Sequence, residues 1–134
     1  MADLISIQDN GKLAFGDYTL AAKAKADGFE FGGDLYKVKT FQEITKLERN
    51  GMFAYESVPG TNVADFAADE KELSFTVEGT TDTQVALGLE PEQEFKLYID
   101  GTNIGKMKTN LGGKLVFSLQ LTAGKSSDVK VVKL

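Results

Sequence analysis

The run from Leu89 to Leu121 constrains this chain most, because its apolar residues recur at every second position between turn signals. Phe95, Leu97 and Ile99 alternate with Lys96 and Tyr98, while Leu115, Phe117, Leu119 and Leu121 oppose Lys114, Ser118 and Gln120. A period of two sends successive side chains to opposite faces of a strand, so each run has one buried and one wet face. Asp100-Gly101 and the stretch Asn110 to Gly113 carry the residues that tight turns require. A strand from Ile104 to Thr109 lies between them. The segment therefore predicts a half-buried antiparallel meander of three strands.

The same alternation recurs on both sides of it. Leu73, Phe75 and Val77 alternate with Ser74, Thr76 and Glu78, then Val85, Leu87 and Leu89 follow, and Val129 and Val131 end the pattern. Six strands are expected between Glu72 and Lys133. The first half adds short strands at Leu4 to Ile7, Lys12 to Phe15, Phe29 to Phe31, Leu35 to Val38, Met52 to Tyr55 and Val63 to Ala67. Tyr18 to Ala26 fits helix by its alanines and strand by its alternation, and the β surroundings favour strand. One stretch departs from period two. Thr40 and Glu43 have the spacing of a capping box, Phe41, Ile44, Thr45 and Leu47 follow a helical spacing, and Asn50-Gly51 is a stop signal. These residues predict a short helix near 41–50 that covers a sheet edge or one end of the molecule. The expected fold is mainly β, an antiparallel β-sandwich with one short helix in its N-terminal half. A seam near Ala67 to Lys71 separates a small β-rich subdomain, 1–68, from an antiparallel β domain, 69–134. No low-complexity linker lies at the seam, so the two are expected to pack together.

Residue chemistry narrows the functional classes. The chain has no cysteine and no histidine, which excludes disulfides and thiolate metal sites and removes the commonest general base near neutral pH. Fifteen basic and 20 acidic residues leave a net charge of -5, which disfavours nucleic acid and anionic membranes as partners. Acids dominate from Asp69 to Glu94 and lysines from Phe95 onward, a division that predicts a solvated surface of mixed signs, with complementary faces that pair between subunits as the alternative. No apolar run approaches the length of a membrane-spanning helix, and the N-terminus lacks the pattern of a signal peptide. A cytoplasmic location is the default expectation, with non-classical export or extracellular assembly as the other. Glu90, Glu92 and Glu94, or Asp69, Glu70 and Glu72, are carboxylate groupings of the type that glycoside cleavage uses, as any acidic chain contains. Asp65, Asp69 and Glu70, or Glu78 and Asp82, do not match a calcium loop, and Gly112-Gly113-Lys114 lacks the rest of a phosphate-binding loop. No catalytic residue, metal or cofactor is assigned.

The sequence LEPEQEFKLYIDG places a leucine, Pro91 and the aromatic Phe95 ahead of an alternating strand. This resembles the strand approach in fibronectin type III and immunoglobulin-like domains, and the resemblance implies such a sandwich for 69–134. Phe95 stands where that pattern carries a tyrosine, with Tyr98 three residues on. The segments GKLAFGDY, GDLYKVKTFQEITKLERNGMFAYESVPGT and TNLGGKLVFSLQL are similar to those of small proteins of anaerobic Firmicutes that carry the label endosialidase. That resemblance implies hydrolysis of polysialic acid. Sialidase chemistry grips the sugar carboxylate with clustered arginines, and Arg49 is the one arginine here.

The residues favour a non-enzymatic structural or interaction protein: a homo-oligomeric, filament or shell subunit that assembles through terminal or edge strands. Leu4, Ile5, Ile7, Tyr36, Tyr55, Tyr98, Val129 and Val131 are its interface candidates, with another copy as the leading partner and a different protein as the next. The alternative is a small carbohydrate-binding module that takes a glycan on Tyr36, Tyr55, Asn62, Tyr98, Asn103 and Asn110. Endosialidase-like hydrolysis is the third reading.

Overall fold

The computed structural model describes residues 3–134. Thirteen strands follow one another: β1 (Ile5–Ile7), β2 (Leu13–Phe15), β3 (Ala24–Phe31), β4 (Asp34–Phe41), β5 (Ile44–Arg49), β6 (Met52–Val58), β7 (Asn62–Ala68), β8 (Glu72–Glu78), β9 (Thr83–Gly88), β10 (Glu94–Ile99), β11 (Thr102–Lys108), β12 (Lys114–Leu119) and β13 (Ser126–Lys133). They form a seven-stranded sheet, ordered β1-β2-β7-β8-β13-β10-β11, and a six-stranded sheet, ordered β12-β9-β6-β5-β4-β3. Neighbours pair antiparallel throughout.

The two sheets pack as a sandwich. Leu13, Phe15, Val63, Phe66, Phe75, Val77, Leu97 and Val129 from one sheet meet Val38, Leu47, Tyr55, Val85, Leu87 and Leu115 from the other. Phe15 and Tyr55 meet edge to face at 5.3 Å across the sheets, and Tyr55 and Phe75 do so at 5.5 Å. That geometry suits aromatic quadrupoles and adds to the energy of burial. The alternation seen at Leu73 to Val77 and at Leu115 to Leu119 is the inward set of these strands.

The short helix expected near 41–50 is absent, and no helix occurs among the described residues. That stretch is a hairpin, in which β4 and β5 pair from Phe41 with Ile44 to Tyr36 with Arg49. Thr45 and Leu47 are buried on alternate positions and Lys46 and Glu48 face outward, so the period is two. The apparent helical spacing came from counting Phe41 and Ile44, which lie on the outer face, with inward Thr45 and Leu47. Asn50-Gly51 is the next hairpin turn rather than a helix stop, with φ of 53° at Asn50 and 76° at Gly51. Two positive φ values match the turn that suits the twist of paired strands. Asn50 strengthens it by accepting from the Leu35 N–H at 2.9 Å and donating to Asp34 at 2.8 Å.

The meander is also divided. β10 and β11 pair in the seven-stranded sheet, but β12 crosses to the six-stranded sheet and pairs with β9. Buried Thr109 anchors the crossing, donating to the Glu90 carbonyl at 2.6 Å and accepting from the Gln93 N–H at 2.9 Å. The position 68/69 falls in the turn of the β7–β8 hairpin, whose strands are registered from Asn62–Glu78 to Ala68–Leu73. Each sheet draws strands from both sides of that point, in two blocks that meet at β7–β8 in one sheet and at β6–β9 in the other.

A second crossing, from β6 to β7, carries a chain of buried hydroxyls. The Val58–Pro59 peptide there is cis. The Thr61 hydroxyl contacts the Tyr55 hydroxyl and the Ser57 hydroxyl, each at 2.8 Å. The Thr45 hydroxyl donates to the Thr61 carbonyl at 2.7 Å, accepts from the Thr61 N–H at 3.0 Å, and lies 2.8 Å from the Thr40 hydroxyl. No buried side-chain polar atom among the described residues lacks a partner. Satisfied networks of this kind hold one packing arrangement, because any shift strands a buried polar group.

Candidate functional site

A sandwich offers its strand edges, its two outer faces and its loops to a partner, and this one has four strand edges. Three are blunted in ways that oppose strand addition. β1 has three residues. β11 is irregular opposite Leu97/Tyr98 and carries Lys106 and Lys108. β3 is broken by a bulge at Asp27-Gly28, between Ala26 and Phe29. The pair kinks one strand without ending it.

β12 differs. Its six pairs with β9 run from Lys114–Gly88 to Leu119–Thr83 without a shift in register. The Leu89 N–H donates to the Gly113 carbonyl at 2.7 Å, which sets the parity of the ladder. Odd residues bond toward β9, so the N–H and C=O groups of Lys114, Val116 and Ser118 face away from the sheet. Asn110 occupies the outward groups of Lys114, accepting from its N–H at 2.9 Å and donating to its carbonyl at 3.1 Å. Val116 and Ser118 keep a free backbone edge. Val116 is 41% exposed, and Leu111 beside this edge is 80% exposed.

The expected interface residues scatter relative to these edges. Ile5 is buried and Ile7 exposed in the short edge strand β1, with Leu4 packed against the core just before it. Val129 and Val131 are core residues of β13, which is paired on both flanks by β8 and β10 and so is no edge at all. Tyr36 and Tyr55 are also inward: Tyr36 stands near Phe31, and Tyr55 is fully buried. Burial pushes the Tyr55 hydroxyl up to about 12, while its bonds to Thr61 and Ser57 pull the other way. Tyr98 is half-buried on the outer face of the seven-stranded sheet, beneath the Lys130 ammonium at 5.6 Å.

The asparagines serve local structure. Asn62 accepts from the Tyr18 N–H at 3.0 Å, Asn103 from the Gly105 N–H at 2.9 Å, and Asn110 from the Gly112 N–H at 2.9 Å. With Tyr36 and Tyr55 in the core, the carbohydrate set forms no common surface. A concavity of about 420 Å³ lies instead on the outer face of the seven-stranded sheet, lined by residues including Ser6, Ala14, Asn62, Ala64, Thr76 and Glu78. The acidic and basic segments meet within the chain, through Glu72–Lys130 at 3.3 Å and Glu90–Lys133 at 3.0 Å. Among the described residues no group of three or more acidic, histidine or cysteine side chains is placed to hold a metal. No helix among them is long and apolar enough to cross a membrane.

One cluster escaped the sequence reading. Lys25, Lys39 and Lys46 lie in a single cross-strand row on the outer face of the six-stranded sheet, with Lys37 beside them. The signal available was Lys-Val-Lys on β4, two lysines flanking an inward valine. No family model, no curated protein and no solved structure matches this chain.

Proposed function

We propose that the protein is a non-catalytic assembly subunit that associates with further copies of itself through the open edge of β12. The free, regular and lightly charged backbone edge at Val116 and Ser118 carries this reading. Antiparallel pairing of two β12 strands about Ser118 sets Val116 against Gln120 of the other copy on the outer face. On the inner face it sets Phe117 against Leu119 and Leu115 against Leu121. Apolar residues then oppose apolar ones, and Lys114 meets no lysine. Such an interface uses the same patch on both copies, so it closes as a two-fold dimer. The 420 Å³ groove favours a second reading, a glycan-binding module, which a glycan array probed with folded protein tests.

Light scattering after size exclusion, across a range of concentration, tests the edge. The expected result is a species of at least twice the 14.5 kDa chain mass. Ser118→Pro removes an outward donor without breaking a bond to β9, and Val116→Lys places charge on the edge. Both variants should retain the β circular dichroism and run as monomers. A wild-type monomer at every concentration, or assembly unchanged in both variants, would refute the proposal.

A further inference from the structure

Two of the three strands under the lysine row have backbones already paired on both flanks, and the third, β3, is the sheet's edge. β4 and β5 are each paired on both flanks, so their side chains project from a rigid platform. Lys25 stands directly opposite Lys39, and Lys39 directly opposite Lys46. Like charges in this position repel and destabilise a sheet. Among the described residues no carboxylate forms an ion pair with them. Glu48 faces Lys37 and Glu56 faces Lys46, but neither reaches ion-pair distance, and the ion pairs among the described residues use Lys130 and Lys133. An acidic chain thus keeps three lysines in succession on one face without an ion pair, although alternating signs along the row would be more stable.

The row borders a cleft of about 80 Å³ lined by Lys25, Lys37, Lys39, Lys46 and Glu48. That space equals roughly three water molecules, enough for one tetrahedral oxyanion. Lys37, Lys39 and Lys46 are half-buried, so their stems lie along the sheet and their ordering is partly complete before an anion arrives. Glu48 adds selectivity. A carboxylate repels a fully deprotonated anion but accepts a hydrogen bond from one that keeps a proton. Hydrogenphosphate keeps a proton at neutral pH, and sulfate does not.

We propose that the Lys25–Lys39–Lys46 row, with Lys37 and Glu48, is a binding site for inorganic phosphate. Phosphate bridges the opposed ammonium groups and removes the repulsion that the empty row carries. The site is independent of the β12 edge, which borders the other end of the same sheet.

Thermal unfolding of the full chain with sodium phosphate, sodium sulfate, phenyl phosphate or sodium chloride, at matched ionic strength and neutral pH, tests the site. Phosphate should raise Tm above the chloride control and above sulfate. Titration calorimetry should show Lys39→Gln or Lys46→Gln weakening phosphate binding roughly tenfold, the loss of one charge-assisted hydrogen bond. Either variant should also unfold at a higher temperature than wild type without phosphate, because it removes a like-charge contact. Glu48→Gln should erase the preference over sulfate. A larger shift with phenyl phosphate than with phosphate would support the same phosphoryl site and identify an ester as its ligand. Equal shifts with phosphate and chloride, equal shifts with phosphate and sulfate, or an undiminished phosphate shift in both lysine variants would overturn the proposal.

Discussion

Replacing Thr61 with valine keeps the shape of the side chain and deletes the hydroxyl at the centre of the buried network. Two buried partners lose their contact, the Tyr55 hydroxyl and the Ser57 hydroxyl, both at 2.8 Å. A stranded buried polar group costs about 1–3 kcal/mol, and these two can partly satisfy each other. Thr61→Val should therefore destabilise by about 2–4 kcal/mol. Tyr55→Phe leaves the Thr61 hydroxyl bonded to Ser57 and should cost about 1–2 kcal/mol. In the double variant the phenol no longer needs a partner, so the loss should fall short of the sum by about 1 kcal/mol or more. Urea unfolding measures all three, read from the midpoint with a constant slope. Additivity within about 0.5 kcal/mol would refute the argument, since it would mean that Thr61 and Tyr55 contribute independently.

Three further outcomes follow from the packing. Tyr55 titrates from about 12 in the folded protein and from 10.0 when unfolded, so the unfolded chain loses its proton first as pH rises. Stability should then fall between those values by roughly 1.4 kcal/mol per unit, and alkaline unfolding curves should show Tyr55→Phe lacking this component. Gly60→Ala places a methyl against the Phe41 carbonyl oxygen, a backbone atom that cannot turn aside, and should lower stability by about 1–3 kcal/mol or prevent folding, as thermal melts will show. Asn50→Ala removes two hydrogen bonds and puts alanine at positive φ in the β5–β6 turn, which should cost about 1–2 kcal/mol by denaturant titration while leaving the oligomeric state unchanged.

The sequence conveyed the strands better than their partners. Leu73, Phe75 and Val77, or Leu115, Phe117 and Leu119, announce a buried face by alternation alone. Alternation does not say which sheet a strand joins, so nothing local to β12 revealed that it leaves β11 for β9. The misread helix has a comparable cause. Thr40 looked like a capping residue and Thr45 like one position of a helical face, yet both are fully buried in strands because each hydroxyl finds a partner in the network around Thr61. The functional surfaces were hardest to foresee. Tyr36 and Tyr55 seemed available as exposed rings, and the inward register of β4 and β6 assigns both to the core. The lysine row depends on the pairing of three strands, so residues distant in sequence become neighbours only once the register is known.

The six-stranded sheet has the open edge of β12 at one end and the lysine row toward the other. Antiparallel joining of two copies through β12 has its two-fold axis perpendicular to the sheet at the seam, so the joined sheet carries two symmetry-related rows. At about 4.8 Å per strand the rows would lie roughly 40 Å apart. The dimer would then be a bivalent clamp. A ligand that carries two phosphate groups and reaches both rows would hold it by avidity, through a raised effective concentration at the second site, while a single copy would let go. By linkage, the same ligand would favour pairing of the strands, so binding and assembly would strengthen each other without any change in the fold of either subunit.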